Sequence, residues 1–247
     1  MKIKHFCFSF FSSQKSGIVP EKPKKQKPPK GVFQFWPKIG MFHHVRANYS
    51  KEKKEISYKA KIKLHGTNSA VTVQKGKAMA QSRNNFVYTE KANFAFYSKF
   101  VQKNSRFFES LWPSGAKESL TFFGEWCGEG IMKGASICEI KKNAFCLFAC
   151  QIDDRLVTEP EEIKKILQKS SEKVPDNLFV IPWHNEEAVV LRMDDEEQLS
   201  PLIDKITHIV EDIDKEDPFV KQLFGVSGTG EGQIIFFLSK FVQIFFF

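Results

Sequence analysis

A lysine, a glycine and an asparagine lie close together in the segment Lys61-Ile-Lys-Leu-His-Gly-Thr-Asn68. Lys63 is near the end of a stretch in which polar and apolar residues alternate from Tyr58 to Leu64, and this pattern predicts a strand. Three residues later, Gly66 permits a tight turn and a close approach of the backbone to a nucleotide. A lysine amine fixed at a strand end suits nucleophilic attack on phosphorus. The spacing Lys-x-x-Gly alone is not specific, because many exposed edge-strand lysines would match it.

Two further charged side chains follow predicted strands in the same half of the chain. Arg83 ends the segment Ala80-Gln-Ser-Arg83. An arginine at this place can bind a phosphate group, and it can equally be a surface charge. Glu125 lies in Phe122-Phe-Gly-Glu-Trp-Cys-Gly-Glu-Gly-Ile131, after a nearly apolar stretch. A carboxylate there needs a partner, which either sugar hydroxyls or a buried ion pair would provide.

Aromatic and glycine-rich segments supply candidates later in the chain. Phe145 and Phe148 lie in one apolar run, and the chain has 26 phenylalanines, so either ring could simply belong to the core. Glu231 lies in the glycine-rich segment Gly228-Thr-Gly-Glu-Gly232, directly before the apolar residues Ile234–Phe237. Glycine-rich turns are common before strands, so this segment is not specific by itself.

The segment Lys63-Leu-His-Gly-Thr-Asn68 resembles the nucleotidyl-lysine motif of ATP-dependent RNA ligases of the RNA ligase 2 type, which include phage end-sealing and kinetoplastid editing ligases. The segments around Arg83, Glu125, Phe148 and Glu231 resemble the later motifs of this family and follow in the family's order, from about residue 34 to residue 237. DNA ligases and capping guanylyltransferases share the fold but usually have aspartate in place of the histidine of this motif. The resemblance therefore favours the RNA ligases.

The resemblance also implies a role for each residue. Lys63 is the implied catalytic nucleophile, which attacks the α-phosphate of ATP and forms lysyl-AMP. Phe148 is the implied partner of the adenine ring, with Phe145 as a competitor, and Glu231 is implied to bind the metal through water. The ATP-binding residues implied in this way are Ile62, Leu64, Asn68, Arg83 (nucleotide and 5′-phosphate), Glu125 (ribose), Phe148 and Glu231.

One motif of the family is missing from the sequence. The family closes its nucleotidyltransferase domain with a Lys-x-Lys pair, whose charges neutralise the triphosphate. Sixteen residues follow Glu231, and the sole lysine among them is Lys240. A catalytically degenerate or truncated relative that only binds nucleic acid is therefore the alternative interpretation.

The function predicted from these motifs is an ATP-dependent RNA ligase that seals 5′-phosphate and 3′-hydroxyl RNA ends, as in RNA repair. ATP and Mg²⁺ are the cofactors that the resemblance implies, with Mg²⁺ bridging phosphate oxygens and waters. A DNA ligase or a capping guanylyltransferase is the less favoured alternative with the same fold. We expect RNA as the partner, no membrane association and a monomeric protein.

Charge is distributed unevenly along the 247 residues, and it favours an anionic partner. Residues 1–30 have a net charge of +7, residues 31–150 of +11 and residues 151–247 of −10. A basic surface on the first 150 residues would attract nucleic acid or a nucleotide, although an ordinary solvated lysine surface would have the same composition.

The fold class predicted is α+β, because strand and helix patterns mix without regular alternation. The resemblance implies a nucleotidyltransferase (ATP-grasp-like) domain of antiparallel sheets flanked by helices, without a recognisable final strand motif. We expect a disordered Lys/Pro-rich tail at 1–32, this domain at 33–238 and a Phe-rich tail of open status at 239–247. The predicted elements are strands at 58–64, 69–74, 78–82, 120–126 and 144–152 and from about 233, and helices after Thr89, at 158–169 and at 198–213.

The five cysteines and the hydropathy pattern bear on the compartment. No Cys-x-x-Cys pair is present, which argues against a disulfide framework and a structural zinc site. The most apolar stretch, Ile234–Phe247, is shorter than the roughly 20 residues that span a bilayer. We therefore expect an intracellular protein, in the cytoplasm or nucleus, with the mitochondrion as an alternative.

Overall fold

The computed structural model describes residues 33–36, 46–47, 51, 55–87, 95–113, 119–185, 187–238 and 243–246. The predicted tail at 1–32, the cap at Thr89 and Lys240 lie outside these residues. The strands are β1 Glu55–Ile62, β2 Thr67–Gln74, β3 Lys77–Ser82, β4 Leu120–Cys127, β5 Ala144–Ile152, β6 Arg155–Val157, β7 Leu178–Val180, β8 Val189–Arg192, β9 Gln233–Phe237 and β10 Gln243–Phe246. The main helices are α1 Ala95–Lys103, α2 Ser105–Ser110, α3 Pro160–Leu167, α4 Glu196–Lys215 and α5 Pro218–Phe224, with a 3₁₀ turn at Ser136–Glu139.

The strands form two sheets, and the α+β class is confirmed. One sheet has the strand order β10-β9-β1-β8, and the other has the order β3-β2-β4-β5-β6 with β7 beside β5. Neighbouring strands are antiparallel except β5 and β7. The status of residues 239–247 was open from the sequence, and the backbone of Gln243–Phe246 extends the four-stranded sheet by pairing with β9.

Helices cover the outer face of each sheet. Phe122 and Trp126 of β4 pack into a core with Tyr97 and Phe108 from the helices α1 and α2. On the four-stranded sheet, Ile56 and Tyr58 of β1 pack with Leu199 and Ile206 of α4. Because side chains alternate along a strand, the odd-numbered residues of β1 face away from α4. Lys61 is one of them.

The boundaries of α4 follow from capping and from its apolar stripe. The Asp195 side chain accepts hydrogen bonds from the backbone N–H groups of Glu197 and Gln198, which have no partner within the helix. Leu199, Ile206 and Ile213 are buried at helical spacing. The sequence predicted a helix over 198–213, and the cap extends it by two residues at its start.

Candidate active site

A cavity of about 250 Å³ lies between the inner faces of the two sheets. Seven of the eight predicted site residues line it: Ile62, Lys63, Leu64, Asn68, Arg83, Glu125 and Phe148. The eighth, Glu231, forms an ion pair with Lys63. The structure therefore brings together in one place residues that are up to 169 positions apart in the sequence.

Lys63 follows the last residue of β1 and is fixed at both its backbone and its amine. Its N–H donates a hydrogen bond of 2.9 Å to the carbonyl oxygen of Gly232, which ties the strand end to the start of β9. The Nζ atom donates to Oε2 of Glu231. Nδ1 of His65 lies 3.1 Å from the other carboxylate oxygen, Oε1. Lys63 and Glu231 are 23% and 29% exposed, so the pair is accessible from solvent.

Gly66 allows the turn after Lys63 to pack directly on β4. A Cβ atom at this position would lie 2.5 Å from the carbonyl oxygen of Trp126 and 2.9 Å from Cγ of Glu125. The sequence suggested that glycine lets a nucleotide approach the backbone, whereas the atoms that require it here belong to the protein. The N–H of Gly66 donates a hydrogen bond to the Glu125 carboxyl group.

Glu125 is half-buried, and its carboxyl group lies in an environment of mixed charge. Its pKa is raised to about 8, mainly by burial and to a smaller extent by the nearby Glu231 carboxylate. Lys63, the Gly66 N–H and Arg83 act in the opposite direction. Near pH 7 this group is therefore largely a neutral acid, which can both donate and accept a hydrogen bond. Asn68 lies beside it on β2.

Phe148 points into the cavity because of a β-bulge. Phe123 of β4 pairs with Ala149, while Gly124 pairs with Leu147, so Phe148 has no residue opposite it. Bulges re-aim side chains in this way and are frequent beside active sites. Phe145 is fully buried in the outer core against Tyr97. Of the two phenylalanines that the sequence left open, the structure places Phe148 in the cavity.

The RNA ligase family model matches residues 57–227, which is more than half of the chain.

The chain belongs to the RNA ligase family. A comparison with curated proteins found no significant match.

Solved RNA ligase structures from Naegleria gruberi have a similar fold. An apo variant has a TM-score of 0.57 at 16% identity, and the match covers 89% of this chain and 60% of that one. A variant described with ATP and Mn has a TM-score of 0.55 at 16% identity, with coverages of 87% and 57%. A variant with AMP and Mn gives the same TM-score, identity and coverages. At these identities the similarity shows the fold, and this chain spans less than two thirds of those ligases.

Lys61 of this RNA ligase family member has an environment that the sequence did not indicate. Its side chain is 1% exposed, and its Nζ donates to the carbonyl oxygens of Phe148, at 2.8 Å, and Thr158, at 2.7 Å. The amine also lies 4.5 Å from the ring centroid of Trp183. Burial lowers its pKa to about 7, although the Glu159 carboxylate opposes this. Near neutral pH this amine therefore carries only part of a charge.

Trp36 is a cavity residue that sequence reasoning missed. Its ring centroid lies 4.7 Å from that of Phe148 and 5.0 Å from that of Phe123. It comes from a segment far from every motif of the family resemblance, so no spacing in the sequence could assign it to the site. It fixes one edge of the Phe148 ring and adds an aromatic wall.

The protein supplies only part of a coordination shell for a metal ion, and the substrate and water would supply the remaining ligands. Within the part of the chain that the structure describes, no three His, Cys, Asp or Glu side chains converge as a ligand set. Glu231 is the accessible carboxylate beside Lys63. This donor set fits Mg²⁺ held mainly by phosphate oxygens and waters, as the ion prefers.

No helix among the described residues has the length and apolar character of a transmembrane span.

Proposed function

We propose that this chain is an ATP-dependent RNA ligase, which joins a 5′-phosphate to a 3′-hydroxyl of RNA through lysyl-AMP on Lys63. The observation that supports it most is the meeting of Lys63, Glu125, Phe148 and Glu231 around one cavity. Each of these side chains suits a different part of ATP.

The base and the ribose are held by the inner part of the cavity. Phe148 offers its ring face to adenine, since a flat aromatic ring favours stacking on a base. The Glu125 carboxyl group, which burial keeps protonated near pH 7, exchanges hydrogen bonds with ribose hydroxyls. Those hydroxyls supply the polar partner that a buried carboxyl group needs.

The first chemical step takes place at Lys63. Its amine must lose a proton before it attacks, and the Glu231 carboxylate in contact with Nζ is placed to accept it. His65 holds the second oxygen of Glu231 and so orients it. The new N–P bond forms as the bond from the α-phosphorus to pyrophosphate breaks. Glu231 would hold a divalent cation through water, and the cation would neutralise charge at the phosphates.

Two further displacements complete the reaction, the first at the α-phosphorus of lysyl-AMP and the second at the 5′-phosphorus of the RNA. AMP passes from Lys63 to the 5′-phosphate of RNA, and the 3′-hydroxyl displaces AMP to form the phosphodiester. Arg83 is exposed at the edge of the cavity, where it can contact the incoming 5′-phosphate. Guanidinium groups suit this because they form paired hydrogen bonds with phosphate oxygens.

Incubation with α-labelled ATP and Mg²⁺ tests the proposal directly. The intact chain should acquire a covalent AMP label that is stable to alkali and is released by acid, as expected of an N–P bond, and Lys63→Ala should abolish it. Lys63→Arg should also remain unlabelled, because guanidinium stays protonated and cannot act as the nucleophile. Lys59→Ala, on the same face of β1, is the matched control and should retain the label.

The possible outcomes separate the alternatives. A label that persists in Lys63→Ala would refute the assignment of the nucleophile. An intact chain that binds ATP and RNA but never becomes labelled would support the non-catalytic alternative. Faster sealing of nicked DNA than of nicked RNA would replace the RNA substrate with DNA.

A further inference from the structure

A second cavity, of about 490 Å³, lies on the other side of β4. Glu125 lines the first cavity, and the next residue, Trp126, lines the second. Consecutive side chains of a strand point to opposite faces. The two cavities therefore flank the end of β4 from its two sides. We call the second one the lysine cavity; its lining residues are Lys99, Phe100, Lys103, Asn104, Trp126, Lys142, Asn143 and 173–177.

The lining of the lysine cavity changes from apolar to charged. Phe100 and Trp126 are buried, whereas Lys103, Lys142 and Lys173 are exposed. Three asparagines of the lining are half-buried. Each donates a hydrogen bond through Nδ2 to a backbone carbonyl oxygen: Asn104 to Phe100, Asn143 to Glu129 and Asn177 to Asn143. The amides are thereby fixed, and each Nδ2 has a second hydrogen to donate.

Positive charge from three separate segments converges here. Four lysines and one aspartate line the cavity, a net charge of +3. The pKa of Asp176 is lowered mainly by its hydrogen bond with Lys173 and also by the charges of Lys142 and Lys103, which shows that these lysines act on the same place. These lysines come from α1, from the loop before β5 and from the loop before β7.

We infer that the lysine cavity binds the phosphate backbone of RNA next to the end that is held at Lys63. This inference rests on the proposed function, which supplies the RNA. Exposed, flexible ammonium groups bind phosphates as point charges and without base specificity. The aromatic residues of the cavity are buried, so they offer no face on which a base could stack. Backbone phosphates and sugar hydroxyls are the groups that match lysines above fixed amides.

The position of the cavity favours a continuous strand over a small phosphate ligand. Only the thickness of β4 separates it from the site where the end of the RNA reacts. Its lysines are spread over three segments at the rim, whereas a site for a compact anion gathers its donors around one point. A strand that leaves the Lys63 cavity around the end of β4 would therefore pass these lysines.

The test is the salt dependence of RNA binding by the full chain. We compare the parent with a triple variant, Lys103→Gln, Lys142→Gln and Lys173→Gln, using a labelled 5′-phosphorylated single-stranded RNA in fluorescence anisotropy. Each single-strand phosphate contact contributes about 0.7 to the slope of log affinity against log salt, so the slope should fall by about 2. The matched control replaces three exposed lysines outside both cavities, Lys75, Lys165 and Lys205, with Gln and should leave the slope almost unchanged.

Three measurements keep this inference separate from the proposed function. AMP labelling of the triple variant without RNA should equal that of the parent, since Lys63 and Glu231 are untouched. Asp176→Asn raises the charge of the cavity and should tighten RNA binding, an effect opposite in sign. Equal RNA affinity and slope in the parent and the triple variant would overturn the inference even if Lys63 becomes labelled. The same holds if the triple variant loses only the binding of tripolyphosphate, which would make the site one for small anions.

Discussion

The two cavities on either side of β4 differ in how far their charged groups are exposed to solvent. Between the sheets, Lys61 is buried and Glu125 is half-buried, and desolvation shifts both pKa values toward neutrality, to about 7 and about 8. In the lysine cavity the charged groups are exposed, and Asp176 is stabilised in its ionised form by its lysine neighbours. On one side of β4, desolvation is therefore the main influence on the protonation of the charged groups. On the other side, exposed charges influence one another through solvent.

The difference shows what each arrangement can do. A carboxyl group with a pKa near 8 keeps its proton at neutral pH, so Glu125 can donate as well as accept a hydrogen bond. The exposed lysines attract a polyanion in proportion to their number. The proposed ligase reaction, in which the chain reacts with a nucleotide and holds RNA, would use both kinds of site.

The comparison is tested most strongly by Glu125→Gln. The raised pKa means that the folded state keeps its proton between pH 4.5 and about 8, whereas the unfolded state loses it, so stability falls as pH rises through this range. The amide removes this penalty and can still accept the Gly66 N–H. We expect the variant to gain a few kcal/mol over the parent at pH 8.5 and little at pH 4, since one pKa unit corresponds to about 1.4 kcal/mol. Urea unfolding across this range measures it.

Asp176→Asn is the matched control in the lysine cavity. Its lowered pKa means that its contribution to stability is lost only as pH falls into the acid range, so the difference in stability between this variant and the parent should stay constant from pH 4.5 to 8.5. A pH profile of Glu125→Gln that runs parallel to that of the parent would show that the carboxyl group is not buried as described.

A smaller effect is expected for Lys61→Met, which removes the donor to the carbonyl oxygens of Phe148 and Thr158. Unpaired buried polar groups cost about 1–3 kcal/mol, and the variant should lose stability by about this amount. The lowered pKa of Lys61 makes the parent's stability rise between pH 7 and about 10, because only the unfolded lysine is still protonated there. The variant should lack this rise, as thermal unfolding at pH 7 and 9.5 would show.

Lys142→Met is the control for Lys61→Met, because Lys142 lies in the lysine cavity and is exposed. Its ammonium group is exposed, so the substitution should change stability little and leave the rise with pH intact. Equal losses in Lys61→Met and Lys142→Met would remove the distinction between buried and exposed lysines.

The smallest effect is expected for Trp36→Ala, which removes the aromatic wall beside Phe148. Loss of an aromatic contact of this kind is worth about 1 kcal/mol, or roughly a fivefold weaker affinity for a non-hydrolysable ATP analogue in calorimetry. Trp36→Phe should restore most of the affinity. Phe35→Ala removes a neighbouring ring that is 66% exposed and should have no effect. Unchanged affinity in Trp36→Ala would place the nucleotide away from this wall.

Patterns within single elements were predictable from the sequence, and contacts between elements were not. The apolar run at Ala144–Ile152 defined β5 at both ends, because a strand buried on both faces needs few cues beyond composition. The bulge that turns Phe148 toward the cavity depends on the register with β4, which no residue of β5 reveals by itself. For the same reason, Lys61 and Lys63 look alike in the sequence, although one amine is bound to carbonyl oxygens and the other to a carboxylate.

The turn that carries Lys63 is also a covalent joint between the two sheets. β1 belongs to the four-stranded sheet and β2 to the six-stranded sheet, and residues 63–66 connect them. If the sheets swing apart to admit a base, a pivot at this turn displaces the Lys63 amine less than any residue farther along β1. Such a pivot would let a nucleotide enter while the position of the Lys63 amine changes little. In hydrogen-exchange experiments the backbone N–H of Lys63, held by Gly232, should therefore open less often than the pairing of β1 with β8.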